Sequence, residues 1–114
     1  MEETKLREIT AENLHDQMKT DRRPVLINAL NPDAFTAKRI AGSINIPIEK
    51  AEIIETVVPD KKQDIVVYCA NSDCTASPKL AEKLMDMGYG NVKDFDAGLA
   101  GWRKAGFQLV GEET

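Results

Sequence analysis

Asp64-Ile65-Val66-Val67-Tyr68-Cys69-Ala70-Asn71-Ser72-Asp73-Cys74-Thr75-Ala76-Ser77-Pro78 is the stretch on which the reading of this chain turns. Its first six residues form an apolar run rich in β-branched side chains, the pattern of a strand buried on both faces of a sheet. Ser77 and Pro78 predict the N-cap and first position of a helix. Leu80, Leu84 and Met87 then follow at i, i+4 and i+7, and Gly88 stands where the helix should end. Strand, polar loop and helix in that order are the first part of a βαβ unit. Such units build parallel sheets, and ligands bind beyond the carboxyl ends of their strands, where this loop lies.

Working outward, the same alternation continues on both sides. Thr10 is placed to cap a helix that carries Ala11, Leu14 and Met18 on one face and ends near Thr20-Asp21. Val25 to Leu30 reads as a second buried strand, and Asn31-Pro32-Asp33 starts a short helix through Phe35 and Ile40, broken by Gly42. Ile44 to Pro47 predicts a strand, and Glu49 to Val58 a helix closed by Pro59. Asn91 to Phe95 predicts the last strand, Gly98 a turn, and Leu99 to Ala105 a final helix in which Trp102 is read as core. No internal repeat or low-complexity segment interrupts the pattern.

At 114 residues the chain has the length of one domain, expected to span 1–114 with a core from about 6 to 110. With 42% hydrophobic and 30% charged residues, it falls outside the disordered and membrane classes. A net charge of −4 without a basic stripe argues against nucleic acid as a partner. No segment approaches the roughly 18 apolar residues of a membrane helix, and Met1 to Lys5 lack the apolar stretch of a signal peptide, so a cytoplasmic location without membrane contact is expected. Two cysteines five positions apart make neither a disulfide framework nor a zinc knuckle, so no metal is expected.

The loop admits a chemical reading of Cys69. Its backbone N–H groups can turn inward as an anion nest, and the following helix adds the positive end of its dipole. A thiolate facing that nest would be stabilised, so Cys69 is expected to titrate below a free cysteine and to be the more acidic of the two thiols. The plainer alternative is a small buried residue that merely ends a strand. Asn71, Ser72 and Thr75 can donate hydrogen bonds to a bound anion, or serve only as loop formers. His15, on the first helix and far from the loop in sequence, is read as exposed or partly packed.

Ile65 to Cys69, the helix with Leu80-Ala81 and Leu84, Gly88-Tyr89-Gly90-Asn91-Val92, and Ala97-Gly98 before Trp102 together resemble the second half of a rhodanese domain. Val25 to Leu30, Phe35 and Ile40-Ala41-Gly42-Ser43-Ile44-Asn45-Ile46-Pro47 resemble its first half, so the likeness covers nearly the whole chain. The resemblance implies an α/β fold, a rhodanese-like three-layer domain whose five-stranded, mainly parallel sheet carries helices on both faces. It also implies an active-site cysteine at Cys69 that accepts and donates sulfane sulfur with no cofactor. The partners it implies are a small sulfur donor and a thiol or protein persulfide acceptor. Oligomeric state is left open.

The chain also departs from the family's pattern. The loop is longer by two residues than the family's common six-residue form and contains no basic residue, which disfavours dianionic thiosulfate as donor. Asn28 and Leu30 replace the acidic and basic residues usual at that strand's end, and Arg39 stands where many members have histidine. Arg39 is either an anion contact or a solvated surface residue. Cys74 matches a variant with a second cysteine, and three roles stay open for it: resolving thiol, second sulfur acceptor, or inert loop residue. A cysteine phosphatase would need arginine six positions after the nucleophile, and that position is Thr75. A sulfurtransferase and a non-enzymatic binding or redox-sensing module that uses Cys69 and Cys74 therefore remain.

Overall fold

The computed structural model describes residues 7–112. The central apolar run forms β4 (Ile65–Tyr68), every residue of which is buried. Its β-branched side chains suit a pleated surface that packs on both sides. Ile65 and Val67 enter one hydrophobic cluster, and Val66 and Tyr68 the other. Around it lie β1 (Arg7–Glu8), β2 (Val25–Asn28), β3 (Ile44–Asn45) and β5 (Val92–Phe95), in the order β1-β5-β4-β2-β3. All four pairings are parallel, with Asn28 opposite Tyr68 and Val67 opposite Asp94. The five-stranded parallel sheet expected from the resemblance is present, including β1, whose two exposed residues offer no apolar pattern to read.

Helices cover both faces. The α1 (Ala11–Met18) and α5 (Gly98–Lys104) helices contribute Ala11, Leu14 and Trp102 to the cluster that holds Tyr68 and Phe95. On the other face, α3 (Ile54–Val57) and α4 (Ala76–Asp86) contribute Ile54, Leu80, Ala81 and Leu84. Thr10 caps α1 as expected, its hydroxyl accepting from Asn13 N–H at 3.1 Å. Trp102 is core, with its indole N–H on the Gln108 carbonyl at 3.0 Å. Among the described residues, no helix is long and apolar enough to cross a membrane.

Three expected boundaries move. The helix after β2, α2, spans Pro32–Ala37 and does not reach Ile40. Arg39 instead pairs with Val110 in an antiparallel bridge, and that tertiary pairing ends the helix. The segment expected as one helix from Glu49 to Val58 is a 3-10 stretch, Ile48–Ile53, followed by the single turn of α3, with non-helical backbone at Lys50. The buried Tyr89 hydroxyl donates to carbonyls of Ile54 and Val58, fastening that irregular path. Finally, α4 begins at Ala76, two residues before the expected first position at Pro78. Thr75 is its N-cap, without a side-chain hydrogen bond, and Ser77 lies inside the first turn, buried.

Candidate active site at the end of the central strand

Chain direction puts the site at the sheet's switch point. From β2 the chain runs outward to β3, and from β4 it runs outward the other way to β5. The carboxyl ends of β2 and β4 therefore open a crevice, the usual ligand position in such sheets. Cys69 is the first residue past β4, and the loop 70–75 leads from it into α4. A separate cavity of about 190 Å³, lined by Arg7, Pro24, Asp64 and Asn91 among others, lies at the opposite, amino ends of the strands.

The loop is held from below and from the side. Asn71 accepts from Asp73 N–H through its side chain at 2.9 Å and from Cys74 N–H through its carbonyl at 3.1 Å, which makes a tight turn. The first amides of α5 bond the other side: Leu99 N–H to the Cys69 carbonyl at 3.0 Å, and Ala100 N–H to the Ala70 carbonyl at 2.9 Å. Gly98 permits that approach, because it has φ +62° and a Cβ there would sit 2.3 Å from the Cys69 oxygen.

Below the loop, Tyr68 joins three elements. Its hydroxyl accepts from Asn28 Nδ2 and Ile40 N–H, each at 3.0 Å, and lies 2.9 Å from Ser43 Oγ. Burial raises the pKa of this phenol, so it stays neutral. Asn28, whose amide oxygen accepts from Leu30 N–H at 2.8 Å, is thus a neutral structural link. Arg39 places its guanidinium on the Phe35 and Thr36 carbonyls and over the Phe35 ring. An anion-contact role would require it to leave those partners.

The two thiols come together, with an unexpected division of labour. Cys69 is 1% exposed, and its Sγ donates to Ser77 Oγ at 3.4 Å. Burial, reinforced by the hydrogen bond with Cys74, pushes its pKa up, while the Ser77 hydroxyl and amide work in the other direction. Cys74 is half-buried. Its partial burial works upward, but the Cys69 thiol and the amides of Ala76, Ala70 and Ser77 bring its pKa down overall. The expectation that Cys69 is the more acidic thiol is therefore reversed. The reason is geometric: the end of a buried strand keeps the Cys69 sulfur out of water, whereas the loop folds the Cys74 sulfur into the amides of the nest.

Ser77 is read from the sequence both as a helix cap and, with Ala70, Asn71, Ser72, Asp73, Thr75 and Ala76, as part of the active-site loop; its hydroxyl is a partner of the Cys69 sulfur. A second buried polar residue, Asp94 on β5, was not singled out at all. It is 2% exposed, and its Oδ1 has no hydrogen-bond partner. Its signal was a lone acid between Val92 and Phe95, at a strand position in register with core residue Val67.

A family model, the rhodanese-like domain, matches residues 10–105. The chain is 36% identical over 64 residues to thiosulfate sulfurtransferase PspE of Escherichia coli, a match that covers 55% of this chain and 60% of that protein. It is 27% identical over 103 residues to thiosulfate sulfurtransferase GlpE of Actinobacillus succinogenes, covering 90% and 88%. A thiosulfate sulfurtransferase structure from Pseudomonas aeruginosa superposes with a TM-score of 0.86 at 28% identity, over 94% of this chain but 20% of that one. The chain thus spans less than two thirds of two of these three relatives.

Proposed function

Because the chain belongs to the rhodanese-like family, we propose that it is a sulfurtransferase that carries sulfane sulfur as a persulfide on Cys69. The observation that carries this reading is the placement of the Cys69 sulfur at the switch-point end of β4, on the Ser77 hydroxyl and beside the amide-held Cys74. The Cys69 thiolate attacks the outer sulfur of a donor R–S–S⁻; the donor's S–S bond breaks, R–S⁻ leaves, and Cys69–S–S⁻ forms. A thiolate acceptor then takes the outer sulfur, and Cys69 leaves as thiolate. Mass spectrometry of intact protein after brief polysulfide treatment tests this. Cys69→Ser should lose the added sulfur, since a hydroxyl does not supply the anionic nucleophile. Undiminished persulfide on that variant would overturn the assignment.

The pairing of the two sulfurs favours a resolving role for Cys74 as second reading. Its thiolate attacks the inner sulfur of the protonated persulfide Cys69–S–SH; the persulfide S–S bond breaks, a Cys69–Cys74 disulfide forms and hydrosulfide leaves with that proton. Non-reducing peptide mapping of the loaded protein, with and without dithiothreitol, should find that disulfide and its reversal. Accumulation of persulfide without any disulfide would remove this role and leave sulfur transfer standing. The same two thiols would serve a redox-sensing module, and the failure of Cys69 to take up sulfur would favour that alternative.

A further inference from the structure

The cycle proposed above moves a negative charge into a buried place, and the structure holds a second acid there. Cys69 at the end of β4, Ser77 in the first turn of α4 and Asp94 on β5 are buried neighbours. The Cys69 thiol donates to Ser77 Oγ at 3.4 Å, and both residues are 1% exposed. The Ser77 hydroxyl is in turn the hydrogen-bonding neighbour that acts on the Asp94 carboxyl, although no hydrogen bond to Oδ1 is closed. A core carboxylate with an orphaned oxygen is costly, and its position opposite Val67 would suit a valine.

We propose that Asp94 is the proton store of the Cys69 site, taking the thiol proton through Ser77 when Cys69 becomes a persulfide anion and returning it when sulfur leaves. The inference rests on the persulfide reading above. In balance, Cys69–SH, Asp94–COO⁻ and R–S–S⁻ become Cys69–S–S⁻, Asp94–COOH and R–S⁻. The S–H proton passes to Ser77 Oγ while the Ser77 hydroxyl proton passes to Asp94. No redox partner is needed, and the buried site keeps one negative charge throughout. Two uncompensated anions that close to each other in the core would be strongly disfavoured.

The surroundings agree. Burial first, then the charges of Asp96 and Glu8, raise the pKa of Asp94, against which the Ser77 hydrogen bond works. Among the described residues, the charged groups that act on Asp94 are Asp96 and Glu8, and the titratable partner of Cys69 is Cys74; none of them is a cation. No described residue thus acts as a counterion that would hold Asp94 ionised once a persulfide forms. Asp94 and Ser77 act through Cys69, as positioning and proton-transfer residues that need not touch the donor.

Infrared difference spectra of the protein before and after polysulfide loading, with persulfide counted by mass on the same samples, decide the matter. Loading should produce a protonated-carboxyl C=O band that is absent from Asp94→Asn. The loading rate of Asp94→Asn and of Ser77→Ala at neutral pH should fall on the order of a hundredfold. Both should approach the unmodified protein as alkaline solvent takes over the proton. Persulfide formation without the carboxyl band, or loading of Asp94→Asn as fast as or faster than the parent, would overturn the proton store and leave the sulfurtransferase reading intact. Absence of persulfide in the parent protein would overturn both.

Discussion

At the scale of single residues, exposure and acidity separate the two thiols in the same direction. Cys74 is half-buried with a lowered pKa, and Cys69 is buried with a raised one. The thiolate is the species that reacts, so brief treatment with limiting iodoacetamide at neutral pH should label Cys74 about tenfold faster than Cys69. Peptide mapping that finds Cys69 labelled first would show that the sulfurs exchange places in solution. Alkylation and sulfur uptake need not select the same residue, because the persulfide reading rests on the placement of Cys69. The same electrostatics bear on the donor. The loop holds the acid Asp73 but no lysine or arginine between 69 and 77. A dianion such as thiosulfate should therefore react more slowly than polysulfide, by about tenfold or more, in parallel single-turnover loading assays. Faster loading from thiosulfate would mean that a cation from outside the loop, Arg39 foremost, reaches the site.

At the scale of elements, the loop is shaped by α5 as much as by its own residues. The α5 amides of Leu99 and Ala100 take the carbonyls of Cys69 and Ala70, and Gly98 lets them come close. In Gly98→Ala, the added methyl would meet the Cys69 oxygen at 2.3 Å from a backbone with φ +62°. The left-handed conformation alone costs a non-glycine residue about 1–2 kcal/mol, and relief of the clash must separate α5 from the loop. Denaturant unfolding should show a loss above about 2 kcal/mol, together with slower sulfur loading. If both quantities stay at the parent's values, the loop does not depend on α5 for its shape.

At the scale of the whole molecule, Asp94 links stability to function. Its pKa lies above the ordinary 3.8, so between that value and its folded value the native state binds more protons than the unfolded chain. Stability therefore falls as pH rises through that window and stays lowered above it. Asp94→Asn removes the penalty. The variant should match the parent below about pH 4 and exceed it at neutral pH by about 1–3 kcal/mol, the cost of a buried polar group left unsatisfied. Thermal unfolding across pH checks this, and a variant less stable at neutral pH would show that the carboxylate is compensated in the native state. Together with slower sulfur loading, the expected gain would mark Asp94 as a residue kept at the expense of stability.

The amino-acid sequence by itself determined the layers and the place of the chemistry. Buried strands must be apolar on both faces, as Val25 to Asn28 and Ile65 to Tyr68 are, and covering helices must repeat apolar residues at three and four, as Leu80 and Leu84 do. Those periodicities are local, so the parallel order and the strand-end position of Cys69 were legible from them. The edge strand β1, with two exposed residues, carries no such period, and its family resemblance alone foretold a fifth strand. Tertiary structure decided the rest, since its causes are distant in the chain. Val110 ends α2 by pairing with Arg39, Tyr89 holds the short α3 turn that follows the 3-10 stretch, and Ser77 turns inward because α4 starts early. The acidity of the thiols belongs to the same class. Desolvation and the aim of backbone amides set it, and these exist only once loop, helix and sheet have packed.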